Sequence, residues 1–180
     1  MALNLRLAVA NVIFAIGQPG LVAGLLPYWI TDGWHSADEP PAAAQLVGAV
    51  LLVAGLAALA HTVIRFAVEG RGTPFPAAPT ERLVVGGLYR HVRNPMYLAV
   101  LATIVGQAAI LGRPVLLAYA IVVWVVVASF VRLYEEPALA IRYGAQYEAY
   151  RRSVRAWWPR LTPWTGEEPA DARRDSAPAR

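Results

Sequence analysis

Four long uncharged apolar stretches dominate the chain, and polar segments separate them. They cover residues 7–30, 42–60, 95–112 and 114–131. Each approaches the roughly 20 residues that an α-helix needs to cross a hydrocarbon core about 30 Å thick. So many apolar runs in 180 residues leave too little polar sequence to cover them in a soluble protein. The pattern therefore predicts an all-α integral membrane protein with four transmembrane helices.

The first stretch is predicted to be a retained span rather than a cleavable signal peptide. Only Arg6 precedes it, its apolar run is too long, and no small-residue cleavage site follows. We expect a kink near residues 17–20, because Pro19 removes a backbone donor.

The arginines indicate how the chain is oriented. All 16 basic residues are arginine, and none lies in the loop of residues 31–41 between the first two spans. Apart from Arg113, they lie before the first span, around residues 65–93, or from Arg132 onward. By the positive-inside rule these regions are cytoplasmic, as are both termini. The net charge of +4 is thus a topology signal and does not indicate nucleic-acid binding.

A tight turn at Gly112, Arg113 and Pro114 joins the third and fourth spans, which are therefore predicted to be antiparallel neighbours. Polar residues at the entrance of this hairpin then meet polar residues at its exit. The first set is Arg90, His91, Arg93, Asn94 and Tyr97; the second is Arg132, Tyr134, Glu135 and Glu136. We expect a pocket at the cytoplasmic membrane surface.

The segment after the fourth span has helical periodicity. Its apolar stripe consists of Leu139, Tyr143, Tyr147, Tyr150, Val154 and Trp157. This spacing predicts an amphipathic interfacial helix that ends at Pro159. The tail of residues 165–180 has little to bury and is predicted to be disordered, which leaves one domain over residues 1–164. The loop of residues 69–87 is rich in proline and glycine and is predicted to be ordered but irregular.

The sequence argues against cysteine and metal chemistry. For several of the polar residues, an ordinary structural role stays open beside a functional one. The chain has no cysteine, and its histidines lack metal-ligand spacing, so no metal is predicted. Arg90 and Arg93 could be ordinary anchors for lipid phosphates, and His61 could be an interfacial polar group. Adjacent carboxylates at a membrane surface need positive compensation, from arginine or from a cationic ligand.

Three segments in this order carry a resemblance: "GLYRHVRNPMY", "YEEPAL" and "YGAQYEAYRRSV", followed by "WWP". Together they resemble the integral-membrane methyltransferases, namely the isoprenylcysteine carboxyl methyltransferases and the phospholipid N-methyltransferases. The resemblance covers about residues 69–159. The segments N-P-M-Y and L-Y-E-E-P are those of the phospholipid group, whereas the isoprenylcysteine group has histidine where this chain has Asn94.

The resemblance implies S-adenosylmethionine as the methyl donor and a small-molecule or lipid acceptor that enters from the bilayer. The cofactor-binding residues that it implies are Arg82, Leu83, Val84, Tyr89, Asn94, Pro95, Met96, Tyr97 and Glu135. Arg93 would position a carboxylate acceptor, whereas Glu136 would take a proton from an amine acceptor. Arg132 and Tyr134 are predicted to contact the substrate.

The residues suit this donor. A sulfonium cation with an amino-acid head needs a carboxylate, a donor for its own carboxylate and an aromatic face, which Tyr97 or Tyr134 can supply. Two alternatives remain: a non-catalytic membrane binding protein on the same fold, and a membrane reductase that uses NADPH. The sequence does not identify the acceptor.

Overall fold

The computed structural model describes residues 17–37, 39–69 and 83–166, with only the backbone described at residues 66–69. The regular elements among these residues are helices, with no strand. The helices are α1 (residues 17–30, with a π turn at Leu21–Leu25), α2 (Ala42–Glu69), α3 (Pro95–Leu111), α4 (Pro114–Phe130), α5 (Glu136–Tyr143) and α6 (Ala145–Ser153). A 3₁₀ turn at Gly87–Arg90 precedes α3, and a π turn at Val131–Glu135 joins α4 to α5.

Several predicted segments lie outside the described residues. These are residues 7–16 of the first predicted span, residues 70–82 of the irregular loop, and residues 167–180 of the tail. Within α1, the irregular π turn at Leu21–Leu25 directly follows the residues at which we expect a kink. A π turn is one of the recognised causes of a helix bend.

Glycines allow α2 and α3 to pack with their backbones in contact. A Cβ at Gly55 would lie 2.8 Å from the Ala99 carbonyl oxygen, and one at Gly106 would lie 2.7 Å from the Leu52 nitrogen. Gly48 is equally close to Gly106. The seven-residue spacing of Gly48 and Gly55 places both on one face of α2, as in the small-residue interfaces of membrane helices.

The predicted hairpin is present between α3 and α4. Gly112 caps α3 with a left-handed φ of 61°, which glycine adopts without a Cβ penalty. Pro114 then begins α4 at a position where its missing N–H has no helical acceptor. The carboxyl end of α4 therefore returns to the amino end of α3, and this brings the two polar segments together.

The outer surfaces of the long helices are apolar and exposed. The segments Ala42–Arg65 and Pro114–Tyr143 are long and apolar enough to cross a membrane, yet only 17% of the most apolar window in each is buried. The core helix of a soluble protein would be mostly buried, so these surfaces fit contact with lipid. The third predicted span, Pro95–Leu111, is apolar but shorter. Four spans thus remain a prediction.

The predicted single amphipathic helix at the carboxyl end is wrong in two respects. The chain breaks at Gly144, whose φ of 51° and ψ of −128° suit glycine, so that α5 and α6 are separate short helices. The apolar stripe also packs inside the protein. Tyr147, Tyr150 and Val154 are buried and pack against residues that include Leu83 and Trp164. The stripe therefore stabilises the fold and does not lie free at the interface.

Candidate functional site

The two polar segments meet at a hydrogen bond between α3 and the π turn. The phenol of Tyr97, on the first turn of α3, donates to Oε2 of Glu135 at 3.1 Å. Pro95 starts α3 at its first position, and Asn94 is the preceding cap residue. Because Tyr97 follows so soon after this start, its side chain lies at the mouth of the hairpin.

A second contact joins the same segments one residue further along. Nη2 of Arg93 lies 2.9 Å from Oε1 of Glu136, and both side chains are largely buried. Nη1 of Arg93 also donates to the Tyr147 phenol at 3.4 Å, and Arg151 lies 3.9 Å from Oε2 of Glu136. We expected the two carboxylates to need a positive charge nearby. For Glu136, Arg93 and Arg151 supply it.

The 3₁₀ turn at Gly87–Arg90 is held next to the site by a hydrogen bond from α6. Tyr150 donates from its phenol to the Tyr89 carbonyl at 2.7 Å, which ties α6 to the turn. Burial raises the pKa of the Tyr89 phenol well above its usual value, and the nearby Glu135 carboxylate raises this pKa further. Tyr89 therefore stays a neutral hydrogen-bonding group at physiological pH.

Within the part of the chain that the structure describes, three buried polar atoms in this region have no hydrogen-bond partner. They are Nδ2 of Asn94, Nε of Arg93 and Nε2 of His61. Asn94 is only 8% exposed, so its free amide is shielded from water. Buried donors without partners are uncommon in folded proteins and call for an explanation. A polar ligand that binds between α2, α3 and the 3₁₀ turn would provide one.

His61 belongs to this region, although its sequence position near the end of a span suggested only an interfacial group. A Cβ at Gly87 would collide with Nε2 of His61, so the absence of a side chain lets the 3₁₀ turn approach the imidazole. The close approach of Gly55 to Ala99 sets the register of α2 and α3, and it places His61 level with Pro95. No periodicity in the sequence shows this contact, because it depends on a turn far along the chain.

The remaining predicted residues divide into three groups. Val84 and Pro95 are buried, and Leu83 and Met96 are partly buried, close to the contacts described above. Arg132 and Tyr134 are exposed on the π turn, and the Tyr134 ring stacks on Phe130. Arg82 lies outside the described residues.

A carboxyl-terminal segment, residues 155–164, fastens the segment that precedes α3. The backbone N–H of Arg93 donates to the Arg155 carbonyl, and that of Arg160 donates to the His91 carbonyl. Nε of Arg90 donates to the Trp164 carbonyl at 2.6 Å. Arg90 and His91 thus hold the protein's own chain rather than only lipid phosphates. The sequence did not predict these contacts.

The comparisons with known proteins identify the family. The chain matches the family model described as phospholipid methyltransferase over residues 43–146, more than half of its length. The match begins in α2 and includes the 3₁₀ turn, the hairpin and both glutamates. It confirms the resemblance to integral-membrane methyltransferases. No curated protein and no solved structure matches the chain.

Proposed function

Because the chain belongs to the phospholipid methyltransferase family, we propose that it transfers a methyl group from S-adenosylmethionine to a lipid acceptor at the membrane surface. The observation that carries this proposal is the contact of Tyr97 with Glu135 at 3.1 Å. It joins the N-P-M-Y segment to the glutamate pair, which belong to two of the segments that carry the resemblance. Family membership alone indicates a methyltransferase; the donor and the acceptor are our proposal.

The residues around this contact fit the donor. The cofactor, when bound, supplies a methyl group on a positively charged sulfur. We assign Glu135 to the ribose hydroxyls or the ammonium group, and the free Nδ2 of Asn94 to an acceptor atom of the cofactor. The Tyr97 ring offers an aromatic face to the sulfonium charge. Leu83, Val84, Tyr89, Pro95 and Met96, together with Arg82, complete the proposed cofactor site.

The acceptor side is formed by the ion pair of Arg93 and Glu136. Methyl transfer is an in-line displacement, so holding the nucleophile in attack geometry supplies most of the catalysis. We propose that Arg93 orients the acceptor and that Glu136 takes the proton of an amine when the acceptor displaces Arg93 from it. Arg132 and Tyr134 are exposed beside this pair, where a lipid would arrive from the side.

The protein is a membrane protein, as the family and the two long apolar helices indicate. We further propose that four helices span the bilayer, with both termini and the site on the cytoplasmic side. The arginine distribution supports this orientation, because the loop of residues 31–41 contains no arginine.

A binding experiment tests the donor. The purified full-length chain in detergent should be stabilised against heat by S-adenosylmethionine and not by NADPH. Glu135→Ala should weaken the cofactor affinity at least about tenfold, as expected for the loss of a charge-assisted contact. Glu39→Ala, at an exposed residue beyond the other end of the hairpin, is the matched control and should bind normally. Stabilisation by NADPH alone would favour the reductase and exclude this proposal.

A further inference from the structure

The π turn in α1 leaves two backbone carbonyls without a helical N–H donor, for a different reason in each case. The N–H of Leu26 bonds to the Leu21 carbonyl, so the Val22 carbonyl loses the donor that an α-helix would give it. Pro27 has no N–H, so the Ala23 carbonyl loses its donor as well. One extra residue per turn followed by proline thus exposes two consecutive oxygens.

Both oxygens of α1 are bound by side chains from neighbouring helices. The Tyr119 phenol of α4 donates to the Val22 carbonyl at 2.8 Å. Nε2 of Gln107 on α3 donates to the Ala23 carbonyl at 2.7 Å. At this π turn the protein therefore provides side-chain donors for both oxygens, as the cost of an unpaired carbonyl in an apolar environment requires.

The same pattern recurs at the candidate site. The N–H of Glu136 bonds to the Val131 carbonyl, and Pro137 follows directly. By the same reasoning, the carbonyls of Arg132 and Leu133 have lost their helical donors. Among the residues that the structure describes, no side chain donates to either oxygen. Within the described residues, the second π turn therefore lacks side-chain donors of the kind that the first one has.

These two oxygens lie at the edge of the site. A helix carbonyl points toward the residue four positions later, which places the Arg132 oxygen beside Glu136 and the Leu133 oxygen beside Pro137. Glu136 is within the ion pair with Arg93, whereas the Leu133 side chain is 77% exposed. A group that enters from the lipid side meets these oxygens next to the glutamate pair, and the negative charges favour a cationic group over an anionic one.

We propose that the main-chain carbonyls of Arg132 and Leu133 bind the N–H groups of an amine acceptor. This proposal rests on the proposed function, since it concerns the acceptor of the same methyl transfer. Two carbonyl oxygens and neighbouring carboxylates suit a primary or partly methylated ammonium. Such a group loses one N–H with each methyl group that it gains, so a quaternary ammonium has none left for the carbonyls. The site therefore favours the unmethylated lipid and releases the fully methylated one.

A graded series of lipids tests this. The full-length chain in dodecyl maltoside is titrated with dioleoyl phosphatidylethanolamine, its N-methyl and N,N-dimethyl derivatives, and dioleoyl phosphatidylcholine, and stabilisation against heat gives the apparent affinities. The affinity should fall along the series, by at least about fivefold from the first lipid to the last, the order of one net hydrogen bond. Equal affinities for all four lipids in the wild type would overturn the proposal without any variant.

Pro137→Ala and Pro27→Ala form a matched pair of variants. Pro137→Ala restores one N–H, which can occupy the Leu133 oxygen, so the difference in affinity between the first and the last lipid should shrink. Pro27→Ala makes the same change in α1, where Tyr119 and Gln107 already occupy the oxygens, and it should keep the graded series. A graded series that is undiminished in Pro137→Ala would also overturn the proposal. Binding of S-adenosylmethionine, measured in parallel, judges the proposed function separately, because it does not depend on the lipid series.

Discussion

Tyr97 and Glu135 are 38 residues apart in the chain, yet the phenol donates to the carboxylate at 3.1 Å. The contact exists because Gly112 and Pro114 turn the chain back on itself between α3 and α4. It also fixes how far beyond α4 the two glutamates must lie in the chain. The hairpin and the π turn together therefore determine which of the two glutamates contacts Tyr97 in the N-P-M-Y segment.

Removing the Tyr97 hydroxyl should weaken the proposed cofactor site without unfolding the protein. In Tyr97→Phe the ring remains, but Glu135 loses its hydrogen-bond donor. We expect the affinity for S-adenosylmethionine to fall by about three- to tenfold, the equivalent of one ordinary net hydrogen bond, because the change acts on the cofactor only through Glu135. Isothermal titration in detergent measures this. Tyr119→Phe removes a similar hydroxyl from α4, away from the site, and should leave the affinity unchanged. Equal losses in both variants would contradict the assignment of Tyr97.

The ion pair of Arg93 and Glu136 should show strong energetic coupling. The side chains are 12% and 14% exposed, so removing either partner leaves a poorly solvated charge. Arg93→Ala alone should cost about 3 kcal/mol, and the double variant with Glu136→Ala should cost less than the sum of the single changes. Thermal unfolding in one detergent measures all the variants.

The exposed pair of Arg151 and Glu148 offers a control for this cycle. These side chains are 46% and 45% exposed at 3.6 Å, so Glu148→Ala should cost less than about 0.5 kcal/mol. Additive effects of Arg93→Ala and Glu136→Ala would show that the pair contributes no coupling and that the two residues act independently.

Much of this arrangement could be predicted from the sequence, for physical reasons that differ between elements. The short turn at Gly112 forces α3 and α4 to be neighbours, and so it predicts that Tyr97 meets Glu135. Periodicity predicts which side of α6 is apolar, but it cannot tell whether lipid or protein covers that side. Here the protein covers it, because residues such as Leu83 and Trp164 return to it from distant parts of the chain.

The π turns and the role of His61 could not be predicted in the same way. A π turn adds one residue to a helix without changing its composition, and only the proline two residues after it gives a signal. His61 contacts Gly87 across a long loop, so its partner depends on tertiary structure. Local patterns thus define the spans and the hairpin, whereas contacts between distant segments define the details of the site.

Alkaline pH should destabilise the carboxyl-terminal part through Tyr147. Burial raises the pKa of its phenol from 10.0 to about 12, although the Arg93 guanidinium acts in the opposite direction. Between these values the unfolded chain has lost the proton and the folded chain keeps it, so stability falls as the pH rises from 10.0 to about 12. Below this range Tyr147 contributes no pH dependence. Tyr147→Phe should therefore show a shallower loss of thermal stability in this range, and an unchanged slope would contradict the assignment.

The proposed orientation can be tested with single cysteines, because the chain has none of its own. Ser36→Cys and Gln146→Cys are suitable, since both residues are exposed. In intact cells a membrane-impermeant maleimide should label the first variant and not the second, whereas both should react after the membrane is permeabilised. Labelling of Gln146→Cys in intact cells would reverse the proposed topology. It would also move the candidate site to the outer face of the membrane.

The glycine contacts between α2 and α3 should be sensitive to a single methyl group. A Cβ at Gly106 would lie 2.7 Å from the Leu52 nitrogen and 2.8 Å from the Gly48 oxygen, and backbone atoms cannot move aside as a flexible side chain can. Gly106→Ala should therefore destabilise the protein by about 1–3 kcal/mol, the usual cost of overpacking. Gly20→Ala, where nothing lies within 4 Å, should be neutral or slightly stabilising. Thermal unfolding in detergent compares the two. Since His61 lies on α2 and Asn94 caps α3, a shift between these helices in Gly106→Ala should also weaken binding of S-adenosylmethionine. Equal stability of both variants would show that the helices are not packed at this distance.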